Sequence, residues 1–300
     1  MEIKELHKGP WKARINPSRG ANCISLRHSG YGLRILREPC YEAGLDNPYL
    51  YGMPVLFPVN RIAGGRFILE GREYTFPLNE PQTGCHLHGD LHEAPCTVTS
   101  ASEDRIPCTH SREARAGLPH AFTVEITYRL TDAGLRQETR ILNRSDTAMP
   151  VLLGYHTTFD VCGIGRELRV LAEVGDYVER EMQTYLPTGR LLPPDAITQA
   201  LNTSDFRTCE TPISRHYRAA GQGRMAIGDV ERGVTVLYEN DAKFPWRLIY
   251  NGDGTQYICL EPQTCAVDCA NAPYPAGYAP VPCIPPHSAQ VFWSSITLQI

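Results

Sequence analysis

The sequence has little excess charge of either sign: 29 Lys and Arg residues stand against 33 Asp and Glu residues, a formal net charge of −4. A chain so nearly balanced presents no electrostatic footprint for nucleic acid or for an anionic membrane surface. It also lacks a long hydrophobic run, because apolar stretches such as residues 53–59 are far too short to span a bilayer. The first eight residues contain no apolar signal core. We therefore predict a soluble cytoplasmic protein.

Cysteine pairs with CxxC spacing are absent as well. The eleven cysteines, an odd number, are scattered from Cys23 to Cys283. This pattern differs from the dense, even spacing of a small disulfide-bonded secreted scaffold. We expect most of these cysteines to be reduced thiols.

Helical periodicity is almost missing, and only residues 111–116 could form a turn or two of helix before Pro119. The 25 glycines and 24 prolines exceed the roughly 12% of residues that is usual, which favours many turns. Strand signals recur instead. In residues 120–130, apolar and polar residues alternate with the period of two that a half-buried strand requires.

Turn signals connect these strands into antiparallel pairs. A turn at residues 131–134 predicts that residues 135–143 return beside residues 120–130, and Glu70-Gly71 predicts a hairpin of residues 66–69 with residues 74–76. Further strands are predicted at residues 31–37, 233–239, 246–250, 256–261 and 288–300. We predict an all-β protein, a large antiparallel β-sandwich, with one domain over residues 1–300. The segment 273–286, with six prolines, is interpreted as a rigid surface loop.

Four polar clusters interrupt the strand pattern, and the first question is whether they bind a metal. They are Asn60-Arg61, His86-Leu87-His88-Gly89, Gly154-Tyr155-His156-Thr157-Thr158-Phe159 and Cys259-Leu260-Glu261-Pro262-Gln263-Thr264. His86 and His88 have the spacing of a metal-binding pair on one face of a strand, with His156 or Glu261 as a third ligand. No fourth ligand has motif spacing, so one hydrogen-bonded structural histidine beside one exposed histidine is the favoured interpretation, and we predict no metal site.

Each remaining cluster has a structural and a functional interpretation. His156 follows an apolar run, where a lone histidine is more often structural than catalytic. Glu261 shares its strand face with Tyr257 and Cys259; it is either a partly desolvated base with a raised pKa or an edge glutamate paired with an arginine. Asn60-Arg61 is either a simple turn or a pair of fixed donors for sugar hydroxyls.

The order of the clusters along the chain resembles that of the aldose 1-epimerases, the galactose mutarotase family. The matching segments run from residue 54 to the C-terminus: Pro58-Val59-Asn60-Arg61-Ile62-Ala63-Gly64-Gly65-Arg66-Phe67, Gly71, Tyr74, Leu87-His88-Gly89, His156-Thr157-Thr158-Phe159, Pro187-Thr188-Gly189, Glu261-Pro262-Gln263-Thr264, Asp268 and Asn271. The resemblance implies a sandwich of the galactose mutarotase-like type with a monosaccharide in a cleft across one sheet.

The resemblance also implies roles for individual residues. Glu261 would be the general base and His156 the general acid, while His88 and Arg61 would hold the sugar ring with help from Asn60. His86 has no counterpart and stays outside the site. The pair would open the pyranose ring with no metal or organic cofactor. Groups with ordinary pKa values, ~4.3 for Glu and ~6.5 for His, coexist as carboxylate and imidazolium below neutrality, or nearer neutrality if the site raises the His value.

The sequence departs from the family in two places. The segment Pro212-Ile213-Ser214-Arg215-His216-Tyr217-Arg218 lacks the aspartate that family members usually carry, and Asp205 is the nearest acidic alternative. A family glutamine is also missing from residues 246–250. These changes open the possibility of an acidic or phosphorylated sugar, with Arg61, Arg66, Arg215 and Arg218 as candidate anion ligands, although solvated surface charge is the simpler interpretation of these arginines. A sugar-binding protein without turnover is the alternative from another class, and a glycoside hydrolase, which needs two carboxylates, comes last.

Overall fold

The computed structural model describes residues 2–40, 47–252 and 254–300, and in these residues strands far outnumber helices. The strands are, in chain order, β1 (Lys4–Lys8), β2 (Trp11–Asn16), β3 (Asn22–His28), β4 (Leu33–Arg34), β5 (Val55–Leu56), β6 (Arg61–Ala63), β7 (Arg66–Leu69), β8 (Arg72–Thr75), β9 (Cys85–Leu87), β10 (Thr97–Val98), β11 (Arg105–Arg112), β12 (Phe122–Leu130), β13 (Gly134–Asn143), β14 (Met149–Pro150), β15 (Gly154–Tyr155), β16 (Thr157–Asp160), β17 (Leu168–Ala172), β18 (Val174–Arg180), β19 (Pro187–Leu192), β20 (Ser214–Ala219), β21 (Met225–Asp229), β22 (Val234–Asn240), β23 (Trp246–Tyr250), β24 (Tyr257–Gln263), β25 (Cys283–Ile284) and β26 (Ala289–Gln299). The helices are α1 (Val161–Ile164) and α2 (Ala196–Asn202), with short 3₁₀ turns at Ser29–Tyr31, Pro48–Leu50 and Leu91–Glu93.

Two eight-stranded antiparallel sheets form the body of the structure. The first sheet has the order β10-β11-β12-β13-β26-β22-β21-β17. The second has the order β19-β18-β20-β23-β24-β15-β5, and β16 also pairs with β24. A four-stranded sheet of β1 to β4 and three two-stranded pairs complete the architecture.

The inner faces of the two large sheets pack against each other. Phe159 on β16 contacts Tyr238 on β22, with ring centroids 5.4 Å apart, and the hydroxyls of Thr157 and Tyr238 lie 2.7 Å apart. The alternation that predicted the strands explains this packing, because Phe122, Val124 and the other apolar residues of β12 are buried. The predicted antiparallel β-sandwich is confirmed. The extent of the domain, residues 1–300, stays a prediction.

Most of the predicted strands are present, but two local predictions need correction. The strand expected at residues 31–37 is reduced to β4, because Tyr31 ends a 3₁₀ turn and Gly32 takes a left-handed φ of 58°. The helical turn expected at residues 111–116 is wrong, since Ser111 and Arg112 are the last residues of β11 and pair with β12. The hairpin at Glu70-Gly71 is confirmed, with both residues at positive φ.

The proline-rich segment 273–286 is more than a surface loop. Its residues Cys283–Ile284 form β25, which pairs with β14. The rings of Tyr274 and Tyr278 pack on Trp246 of the second sheet, with centroids 6.4 Å and 5.8 Å away. The segment is therefore attached to the sheet that carries the polar clusters.

All eleven cysteines are free thiols in the structure. Among the described residues, no helix has both the length and the apolar composition needed to cross a membrane.

Candidate active site

The polar clusters meet on the outer face of the second sheet. On β24, Ile258 and Leu260 point into the core, so Cys259, Glu261 and Gln263 point the other way. β24 pairs with β15 through Gly154 and Gln263 and with β16 through Thr157 and Leu260. The same register puts His156, between these two strands, opposite Glu261.

The same pairing continues on the other side of Glu261 and gives a row of side chains across the sheet. Leu248 on β23 lies opposite Glu261, and His216 on β20 lies opposite Leu248. Because residues directly opposite in antiparallel strands share a face, His216, Leu248, Glu261 and His156 all line the same side of the sheet. We call this side the cleft face.

Glu261 and His156 form a close pair at one end of the row. His156 Nε2 lies 3.2 Å from Glu261 Oε1, and both residues are almost completely buried. This approach does not have hydrogen-bond geometry, so Oε1 has no hydrogen-bond partner among the described residues. Oε1 therefore remains available as an acceptor.

Burial moves the pKa values of the two groups in opposite directions. It raises the pKa of Glu261 well above its ordinary value, although Gln263 and the charges of Arg180 and Arg61 act against this. It lowers the pKa of His156 to about 3. The cause is the cost of holding a charge away from water. The sequence-based expectation that the site could raise the His value is wrong in direction.

Hydrogen bonds extend from Glu261 to Asn60 through Gln263. Gln263 Nε2 donates to Oε2 of Glu261 at 3.2 Å, and Gln263 Oε1 accepts from Nδ2 of Asn60 at 3.0 Å. All three residues are buried. Sequence reasoning gave Gln263 no role of its own, although its position two residues after Glu261 indicates the same strand face. Gln263 fixes the orientation of the Glu261 carboxylate.

His88 lies next to His156, with ring centroids 5.4 Å apart. Its Nδ1 accepts a hydrogen bond from the backbone N–H of Asn60 at 3.2 Å, so the proton of the neutral ring is on Nε2. Burial, followed by the neighbouring His156, lowers the pKa of His88 well below its ordinary value. Nε2–H of His88 is therefore a neutral donor at the site.

The backbone around His88 explains why the side chains of His88 and His86 do not share a face. β9 ends at Leu87, and His88 and Gly89 have φ values of 63° and 64°. A Cβ on Gly89 would lie 2.1 Å from the carbonyl oxygen of Phe57, so only glycine fits there. This turn breaks the strand alternation, and the two histidines do not share a face.

His86 lies outside the site, as the sequence analysis had placed it. Its Nδ1 lies 2.7 Å from the carbonyl of Pro77, its ring stacks on Phe76, and it is 3% exposed. The interpretation that one of the two histidines is exposed is wrong, because His88 is also buried. The metal-capable group in the described chain is instead His156, Cys259 and Glu261, whose ligand atoms all lie within 4.8 Å of one another.

Arg61 is held by an acidic partner. Its Nε and Nη2 donate to the two carboxylate oxygens of Glu80, each at 2.7 Å, and both side chains are largely buried. The guanidinium also lies 4.7 Å from the ring centroid of Tyr185. Two of its nitrogens are thus engaged, and within the described ranges Nη1 has no hydrogen bond.

The segment 212–218 contributes neutral residues to the cleft face. His216 is fully buried, its Nδ1 accepts from the backbone N–H of Val267 at 3.4 Å, and its Nε2 has no partner among the described residues. Ser214, two residues earlier on the same face, is exposed. Asp205 is not a replacement for the family aspartate, because it follows α2 at the surface and bonds Thr203.

The arginines proposed as anion ligands are mostly engaged elsewhere. Arg215 pairs with Asp195 at 2.8 Å, and Arg218 donates to the carbonyl of Tyr278. Arg66 is exposed on β7. Arg180, the last residue of β18, was missed by sequence reasoning because it belongs to no motif, yet its charge acts on Glu261 and on His216.

Comparisons with known proteins place the chain beside a family and a fold. A family model described as aldose 1-epimerase matches residues 15–277. The chain is similar to the uncharacterised protein YphB of Escherichia coli, 26% identical over 227 residues that cover 72% of this chain and 73% of YphB. It is 28% identical to the galactose mutarotase of Rattus norvegicus over 162 residues, 51% of this chain and 45% of that protein. The structure of a galactose mutarotase-like protein from Clostridium acetobutylicum, 25% identical, superposes with a TM-score of 0.90 and covers 100% of this chain and 98% of that one.

Proposed function

The chain belongs to the aldose 1-epimerase family, and on that basis we propose that it interconverts the α and β anomers of an aldohexose by acid and base catalysis. One observation carries the proposal. His156 Nε2 lies 3.2 Å from Glu261 Oε1, and both side chains are buried on the cleft face. Two proton-exchanging groups so close together can act on two neighbouring oxygens of one sugar.

The reaction needs one base and one acid at the same time. The base removes the proton from the anomeric hydroxyl, and the acid protonates the ring oxygen as the C1–O5 bond breaks. Rotation about the C1–C2 bond of the open aldehyde and the reverse proton transfers then give the other anomer. Glu261 would act at the anomeric hydroxyl and His156 at the ring oxygen, while His88 and Arg61 Nη1 would hold the hydroxyls, with Asn60 supporting His88 and Gln263.

Glu261 and His156 together hold one exchangeable proton, which can lie on either side chain. One group is then the acid and the other the base. A carboxylic acid beside a neutral imidazole and a carboxylate beside an imidazolium both have zero net charge. Burial favours the first, since neither group is then charged. Movement of one proton from Glu261 to His156, after a small rotation brings the two side chains into hydrogen-bond geometry, gives the second, which the reaction uses.

We predict that the pH plateau of kcat/KM, which reports the free protein, extends to more acidic pH than groups with ordinary pKa values would allow. The neutral pair gains a second proton only near the lowered pKa of His156, about 3, and burial raises the pKa at which the pair loses its one proton. We therefore expect kcat/KM to change less than twofold between about pH 5 and about pH 4, whereas a Glu base with an ordinary pKa of ~4.3 would lose more than half of its activity over that range. Measuring the catalysed rate of anomer exchange at low sugar concentration tests the prediction; a fall of more than twofold by pH 4 would contradict it.

The proposed function is tested by anomer equilibration. Freshly dissolved α anomers of glucose, galactose, glucuronate, galacturonate and glucose 6-phosphate are followed by polarimetry or proton NMR with and without the protein. We expect faster equilibration of at least one sugar, in proportion to protein concentration. Sugar binding by calorimetry without acceleration of any sugar would favour a binding protein instead.

A further inference from the structure

Arg180 is a cation of the cleft face without an acidic partner among the described residues. Its Nη2 donates to the backbone carbonyl of Ser214 and, at 3.1 Å, to the hydroxyl of Ser214. The guanidinium lies 5.7 Å from the ring centroid of Tyr185. No hydrogen bond of its Nε or Nη1 is present within the described ranges, so two donor positions stay open.

Arg180 has no carboxylate paired with it among the described residues, whereas the neighbouring Arg61 has one. Arg61 faces the same ring, that of Tyr185, but is neutralised by Glu80. Desolvation, and then repulsion by Arg61, lowers the pKa of Arg180 to about 10, which leaves the guanidinium protonated at neutral pH. A desolvated cation without a counterion raises the free energy of the folded state, and an anion bound beside it offsets that cost.

Arg247, another arginine without a carboxylate partner, differs from Arg180 in how its donors are satisfied. Arg247 is fully buried without a carboxylate, whereas Arg180 is half-buried, and Arg247 donates to the carbonyls of Phe244, Trp246 and Gly223. It is one residue away from Leu248 on β23 and therefore points to the opposite face of the sheet. Arg180 donates to a single backbone carbonyl and a hydroxyl, both of Ser214, and it lies on the cleft face.

A second open donor lies near Arg180. Val267 N–H occupies Nδ1 of His216, so the neutral ring carries its proton on Nε2, which has no partner among the described residues. Arg180 Nη2 donates to the carbonyl and the hydroxyl of Ser214, two residues before His216 on the same face of β20, so the two side chains are neighbours on that face. Burial first, and then the charge of Arg180, lowers the pKa of His216 to about 3. Arg180 and His216 offer donors and no acceptor, the complement of a carboxylate.

The spacing of the strands fits one sugar between this donor pair and the catalytic pair. His216 and Glu261 stand on β20 and β24, with Leu248 of β23 between them. Two strand spacings amount to about 10 Å, which suits a hexopyranose hydrogen-bonded at both ends. With C1 at Glu261, the C6 end of the sugar reaches His216 and Arg180, and the half-buried Leu248 lies under the ring.

We propose that the substrate is an aldohexose with one negative charge, a hexuronate, whose C6 carboxylate is bound by Arg180 with His216 Nε2–H as a second donor. This inference rests on the proposed function and gives Arg180 the part of a specificity-determining residue. One unneutralised guanidinium matches a monoanion, whereas a phosphate dianion would keep an unmatched charge in a desolvated place.

The test compares charged and neutral sugars with wild type and with Arg180→Met. We expect wild-type kcat/KM to be at least tenfold higher for glucuronate or galacturonate than for glucose or galactose. Arg180→Met should lower kcat/KM for the hexuronate about 30-fold, mainly through KM, and change that for the neutral sugar less than threefold. Arg180→Lys should restore only part of the loss, because an ammonium lacks the planar fork. Arg218→Met, which removes a half-buried arginine bound to a carbonyl, is the matched control and should leave the preference unchanged.

Other outcomes separate the possible errors. Equal losses for charged and neutral sugars, together with a shift of the alkaline limb of kcat to higher pH, would show that Arg180 acts by stabilising the Glu261 carboxylate, and the proposal would be overturned. A preference for glucose 6-phosphate or for neutral sugars in wild type would also overturn it. If no sugar is turned over, calorimetric affinity for glucuronate in wild type and Arg180→Met still decides: loss of affinity supports the anion site while the proposed function fails.

Discussion

We expect Glu261→Gln to lower kcat for the proposed anomer interconversion by about 10³-fold, the size typical of removing a positioned proton-transfer group. Glutamine has the same shape and can still accept the hydrogen bond from Gln263, but it cannot take the proton of the anomeric hydroxyl. Sugar affinity should stay within about tenfold of wild type. The measurement is the catalysed exchange rate by NMR with the wild-type protein's best substrate.

The stability of this variant separates chemistry from folding. Burial raises the pKa of Glu261, so the wild-type fold loses stability as pH rises from the ordinary Glu value towards the raised one. Glutamine has no such dependence, and we expect Glu261→Gln to be at least as stable as wild type at about pH 8 and equal to it at about pH 4. Thermal unfolding at both pH values checks this. A variant that is inactive and also strongly destabilised would remove the support for a catalytic role.

Two further variants complete that experiment. His156→Asn should cost a similar factor in kcat, and the double variant should cost little more than either single one, because the two groups act as a unit. Glu239→Gln, an exposed glutamate on β22, is the matched control and should keep full activity. If the fold-loss of kcat in the double variant equals the product of the two single fold-losses, Glu261 and His156 act independently.

Glu80→Ala is expected to lower the free energy of unfolding by about 3 kcal/mol and to raise KM for the sugar about tenfold, with a smaller effect on kcat. The reason is that Arg61 would keep a largely buried guanidinium with no counterion and would no longer be held in place. Glu80 is thus a positioning residue. Denaturant unfolding and steady-state kinetics measure the two effects.

The matched control for this prediction is Glu138→Ala. Glu138 also pairs with an arginine, Arg136, at 3.0 Å, but both side chains are more than 40% exposed. An exposed ion pair contributes between about 0 and 1 kcal/mol, so the control should lose less than that. Equal losses of stability in the two variants, or an unchanged KM in Glu80→Ala, would contradict the prediction.

The sequence could predict the face of β24 and the neighbours that share it. Alternation alone put Cys259 and Glu261 on one side and Ile258 and Leu260 on the other, and the structure has this arrangement. The raised pKa of Glu261 was one of the two interpretations that the sequence offered. The lowered pKa of His156 could not be predicted, because its burial depends on side chains that approach from other parts of the chain.

Other errors have equally local causes. His86 and His88 do not share a face, because the strand ends in a turn that requires glycine at position 89. The alternation of side chains along a strand does not predict such a turn. Residues 111–116 resemble a short helix in isolation, but the pairing of β11 with β12 overrides local preference. Arg180 has no motif because its place at the site results from the path of β18 beside β20, a long-range contact.

The alternation of β24 has a consequence for how such a chain can evolve. Inserting or deleting one residue before Glu261 would rotate every later side chain of the strand to the other face. The Glu261 carboxylate, the proposed base, would then enter the core in place of Leu260 or Pro262, and the fold and the proposed chemistry would fail together. Substitutions on the cleft face can still change the preferred sugar one residue at a time, so a lineage of this fold is free to vary its substrate while the length of this strand stays fixed.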